Sequence, residues 1–144
     1  MDLKDYYVDF QQDVATDASV TGDYTVDAFI RRCGEILGEA DQFEEIQVLQ
    51  FEGTCQRKRK LRVQGYDLSA SDDTASLIVG IHHGTPEIST VTTTDAKNAL
   101  KALQYFLDEA TSGQFEVDRE ASSPVVQAAI DIRLRRTSIS RFRL

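Results

Sequence analysis

A chain of 144 residues, 41% hydrophobic and 28% charged, has an ordinary globular balance and enough length for one domain with its own core. Its formal net charge of −8 gives an overall field that repels phosphate, so a purely charge-steered nucleic-acid binder is disfavoured. No apolar run approaches the roughly 18 residues of a membrane helix, and Cys33 and Cys55 lack any metal or redox spacing.

The charge is unevenly spread. From Met1 to Gln56, thirteen acids stand against Lys4, Arg31 and Arg32. Arg57, Lys58, Arg59, Lys60 and Arg62 then follow almost together. Arg133, Arg135, Arg136, Arg141 and Arg143 crowd the end, with no acid after Asp131. Both clusters read as solvated strand edges or helix ends, where cations discourage edge-to-edge association. They also read as local patches for nucleic acid. With no signal-peptide pattern, a reducing cytoplasmic setting is expected, with both cysteines serving as small buried hydrophobes.

In chain order, Leu3, Tyr6, Tyr7, Phe10 and Val14 mark one face of a helix that should stop near Thr16, before turn chemistry at Thr21-Gly22-Asp23. Asp23 or Thr25 can cap a second helix with Val26, Phe29, Ile30, Cys33 and Leu37 on its stripe. Three antiparallel strands are expected next. The first runs from Glu45 to Thr54, with a parity slip between Val48 and Leu49 that suggests a bulge or a strand buried on both sides. Glu52-Gly53 could be its turn. The second covers Lys60–Ser69, and Ser71-Asp72-Asp73 should turn the chain into the third. That strand, Ala75–His83, is apolar enough to be central. Thr92 to Asp95 opens the strongest helix, with Ala99, Leu100, Leu103, Phe106, Leu107 and Ala110 on its stripe, and Ser112-Gly113 ends it. Ser122-Ser123-Pro124 opens a last helix. Ile139 to Leu144 alternates like a strand and runs straight to the chain end, so a single domain over 1–144, cut from the N-terminal part of a longer protein, is expected.

The fold class is therefore α/β (α+β), helices on a central mixed sheet of about four strands. Three linked strands, a long helix and a returning strand resemble the αβββαβ order of restriction-endonuclease-like proteins. In that superfamily an acid on the second strand and an acid-x-Lys pair on the third hold a divalent metal and orient water. On that resemblance Asp67 takes the first acid's place, and Glu35 or Glu39 the place of a helical one. Gly80 and His82 fall where the acid and Lys would be, so the third strand departs from the pattern. Lys60 to Asp67, Leu77 to His83, the Ala99–Ala110 helix and Ser122 to Ile130 further resemble the N-terminal region of abortive-infection phage-resistance proteins, over about Phe43 to the end. This resemblance implies a role in anti-phage defence and assigns no reaction.

Three functions follow from these readings. The first is a non-catalytic assembly or recognition module of a defence protein, without a cofactor. Its expected partners are the remainder of its own chain beyond residue 144, a second copy, or nucleic acid, and not a membrane. The second is a Mg²⁺-dependent nuclease using Glu35 or Glu39 with Asp67 and His82, Asp67 being the metal candidate. The third is a nucleic-acid binder using Arg57, Lys58, Arg59, Lys60 and Arg62 together with the C-terminal arginines. His82 and His83, as strand neighbours, should point to opposite faces and cannot share one metal.

Overall fold

The computed structural model describes residues 1–68, 73–85 and 87–144. Two helices come first, α1 (Leu3–Thr21) and α2 (Thr25–Glu39). Strands β1 (Gln47–Thr54), β2 (Lys60–Asp67) and β3 (Thr74–Ile78) follow. Then come α3 (Thr93–Ser112), α4 (Pro124–Arg135) and β4 (Arg141–Arg143). The sheet is mixed, in the order β1-β2-β3-β4, antiparallel except for the parallel β3–β4 pair. A parallel neighbour needs a long crossover, which α3 and α4 supply. The α+β class and the central position of the third strand are as the sequence implies.

The main core lies between the sheet and α3–α4. Leu49, Leu61, Val63 and Leu77 meet Leu103, Phe106, Phe115, Val126, Ala129 and Ile132. The 3.6-residue stripe of α3 makes this face, except that Leu100 remains 47% exposed. Thr92 caps α3 by accepting from the Asp95 N–H at 3.1 Å, and Gly113 ends it in the left-handed region at φ 81°. A smaller cluster of Val14, Ala18 and Ala28, with Phe10 and Phe29 against it, joins α1 to α2.

That small cluster explains why α1 runs past the expected stop at Thr16. Val14 and Ala18 are buried, so packing holds helix through residues with weak propensity, up to Gly22 at φ 74°. The α2 cap also differs from expectation. Tyr24 occupies the cap position without a side-chain bond, because the Asp23 carboxylate is taken by Thr21 Oγ1, at 3.0 Å, and by Arg31.

The bulge in β1 is present, since the register shifts between Val48 and Phe51. Glu52 and Gly53 are not a turn. They pair with Arg62 and Leu61, and the chain reverses at Cys55–Arg59. There the Lys58 N–H donates to Cys55 O at 2.9 Å and the Cys55 N–H to Arg59 O at 3.1 Å, with Lys58 in the left-handed region at φ 59°. Of the expected Ser71-Asp72-Asp73 turn, Ser71 and Asp72 lie outside the described residues.

The third strand ends at Ile78, well before His83. Beyond it, β2 side chains replace the backbone ladder. The Gly80 N–H donates to Gln64 Oε1 at 2.6 Å, and Arg62 Nη2 donates to Gly80 O at 2.6 Å. Gly80 lies close against α2. A Cβ there would fall 2.5 Å from Ile30 Cδ1 and 3.2 Å from Phe29 Cε1. Ile30 is itself buried and has little room to yield, so Gly80→Ala should cost about 1–3 kcal/mol through overpacking. Gly38→Ala, whose Cβ meets nothing nearer than 3.9 Å, should instead stabilise α2 by roughly 0.5–1 kcal/mol. Urea denaturation of the two variants against the parent chain checks both signs.

Candidate functional site

Asp67 closes β2, and it pairs across the sheet with Ser76, which in turn pairs with Arg143. Directly paired residues share a face, so an acid, a hydroxyl and a guanidinium form one row over three strands. The row grips the segment after α2. Asp67 Oδ2 accepts from the Glu44 N–H at 3.0 Å. Arg143 Nε donates to Ser76 Oγ at 3.1 Å, its Nη2 donates to Gln42 O, and its guanidinium lies 4.8 Å over the Phe43 ring. Asp67 and Ser76 are 7% and 4% exposed. Asp67 also borders a cleft of about 430 Å³ shared with Glu44, Glu45, Asp131 and Arg135.

The other nuclease candidates lie elsewhere. The partner of Asp67 on β3 is Ser76, so Gly80 and His82 sit four and six residues further along the chain, beyond the paired stretch. Glu35 is an exposed α2 residue, 3.7 Å from Arg32, and Glu39 is exposed at the end of the same helix. His82 is not in a strand. Its ring lies 4.7 Å from that of Phe29, and Nε2 is 3.2 Å from Gln11 Oε1. Among the described residues, no three His, Cys, Asp or Glu side chains gather where they could hold a metal ion.

Burial and the neighbouring His83 hold the His82 imidazole below its ordinary value of 6.5. The folded chain therefore resists a proton that the unfolded chain accepts. Stability should fall as pH drops below 6.5, and His82→Gln should flatten that part of the slope. Denaturation midpoints on either side of pH 6.5 measure it.

The basic run divides by role. Arg62 is spent on Gly80 O. Arg59 pairs with Glu109 at 3.3 Å and lies 4.4 Å over the Tyr105 ring. Arg57, Lys58 and Lys60 are exposed at the hairpin and make no ion pair with another described residue. Behind the turn lies a cavity of about 730 Å³, walled by the turn, the end of α3 and the 114–119 loop. Cys55 lines it. Burial pushes the Cys55 thiol up, but hydrogen bonds from the Arg59 and Arg57 N–H groups and the Arg59 side chain outweigh this and hold it below its ordinary value. Cys33, in contrast, is pushed up by burial. Arg119 completes the wall, its guanidinium 4.4 Å over Phe115 and 5.1 Å over Phe51. Sequence reading missed Arg119, whose hydrogen bond to Thr54 O spans 65 residues, and placed Arg143 in the basic C-terminal cluster without its distant partner Ser76. The thiol's donors were nearer, in the basic run beside Cys55, but only the turn geometry aims them at sulfur.

The fold and these two regions define an α+β domain with a clamped sheet end and a basic hairpin over a polar cavity. The family model for the abortive infection phage resistance protein N-terminal domain matches residues 29–144, and the chain belongs to that family. The match begins within α2, so α1 precedes it. No curated protein and no solved structure matches the chain. The chain is thus a module of an anti-phage abortive-infection protein. No helix among the described residues is long and apolar enough to cross a membrane.

Proposed function

We propose that this module acts without catalysis, as the recognition or assembly part of its defence protein. The observation that carries the reading is the use made of the positions a nuclease would need. Asp67 holds the Glu44 N–H, Gly80 is packed under Phe29 and Ile30, and His82 is stacked on Phe29. An acid in place of Gly80 would collide with α2 before it reached any metal. The partners in this reading are the rest of the defence protein, another copy of the chain, or nucleic acid.

Calorimetric titration of Mg²⁺ and Mn²⁺ into the chain, beside Asp67→Asn, tests the reading. No saturable heat in either protein is the expected result. A saturable site in the parent chain that Asp67→Asn abolishes would overturn it in favour of a metal-dependent nuclease. Nucleic-acid binding has one specific observation in its favour, the exposed hairpin cations Arg57, Lys58 and Lys60, which make no ion pair with another described residue.

A further inference from the structure

The geometry points to the cavity behind the β1–β2 turn as a binding site for a phosphate-bearing ligand of nucleotide size, with Arg57, Arg59 and Arg119 as its cationic wall. This deepens the recognition reading and rests on it. A volume of about 730 Å³ lies in the range of small-molecule sites. Three guanidinium groups border it, from the hairpin turn and from the loop after α3.

Two of the three are held in place before any ligand arrives. Arg59 is fixed between the Tyr105 ring and Glu109, and Arg119 lies over Phe115 and donates to Thr54 O at 3.4 Å. A guanidinium carries five donors in a planar fork, so these partners leave donors over for phosphate oxygens. Preplaced cations also spare a ligand the cost of ordering them. Arg57 has no ion-pair partner among the described residues and is free to close on a ligand.

The acids at the cavity do not cancel this. Glu109 is paired with Arg59. Asp108 and Asp118 are exposed, where solvent screens them, and Asp108 already accepts from Gln104 at 3.1 Å. Beside Arg57 in the turn stands Lys58, at φ 59°. Glycine adopts that conformation without strain and lysine does not. Backbone in sparsely populated φ/ψ regions clusters at ligand-binding loops, and Asp118 of the same cavity wall shares the conformation at φ 58°.

Cys55 reports on occupancy. Its alkylation by iodoacetamide at neutral pH, with Cys33 as internal control, can be followed in the 144-residue chain. The additions are inorganic pyrophosphate, ATP or a short oligothymidylate, each against sodium chloride at equal ionic strength. Saturable slowing at Cys55 alone is expected. Arg57→Gln should raise the concentration needed by about tenfold, as the loss of a charge-assisted hydrogen bond implies. Arg57 is exposed and makes no ion pair with another described residue, so misfolding does not account for the effect of Arg57→Gln. Shielding by pyrophosphate and ATP identifies a free nucleotide, and shielding by the oligonucleotide alone identifies a strand as the source of the phosphate. Equal slowing by salt, or none by any addition, overturns the proposal. Either result leaves the metal titration, and with it the non-catalytic reading, standing.

Discussion

Phe115→Ala is expected to destabilise the fold by about 3–5 kcal/mol, the usual cost of emptying a large aromatic from a core. Phe115 is 1% exposed although it sits in the loop after α3. Its ring meets Phe51 edge-on at 5.1 Å and Phe106 at 5.0 Å, and its N–H donates to Glu109 O at 3.0 Å. It therefore nails the loop to both β1 and α3. It is also the platform for Arg119, so the cavity wall should loosen along with the core. A urea midpoint shift with an unchanged slope would show the stability loss. Faster alkylation of Cys55 at urea concentrations well below the transition would show the local one. A shift under about 1 kcal/mol would mean that the loop is not anchored through this ring, because a buried phenyl cannot be lost so cheaply.

Asp67→Ala should cost about 1–3 kcal/mol, since a part-buried hydrogen bond to a charged acceptor is lost. The donor is Glu44, in the segment that Arg143 grips from the other side. Asp67→Asn keeps an acceptor oxygen and should cost clearly less than Asp67→Ala. Removing divalent cations with EDTA should change neither value. This ordering separates a clamp from a metal ligand. A ligand would make the asparagine variant nearly as damaging as the alanine one and would tie the parent's stability to the cation. Thermal denaturation of the three proteins with and without EDTA decides between them.

Several features were legible in the chain because their cause is local. The α3 stripe, its Thr92 cap and its Gly113 end depend on residues within a few positions of one another, and all three are present. The β1 bulge was visible as a parity slip, and Pro124 marked the start of α4. The errors fall where distant residues intervene. Helix α1 outruns Thr16 because Val14 and Ala18 find Ala28. The third strand stops early because Gln64 and Arg62 take the bonds of Gly80. Asp67 was a candidate on its resemblance to the second-strand acid of restriction-endonuclease-like proteins, but its neighbour on the next strand depends on register, and register put Ser76 there.

The sequence by itself determined the α+β class, the element order and the family, because hydrophobic periodicity and turn chemistry act over short spans of chain. Only the tertiary structure decided which charges are spent and which are free. Arg59, Arg119 and Arg143 look alike in sequence to Arg57. Packing sets each of the three against an aromatic ring and leaves Arg57 in solvent. A charged side chain's role depends on the partners within a few ångströms of it, and here most of those partners are fifty or more residues away along the chain.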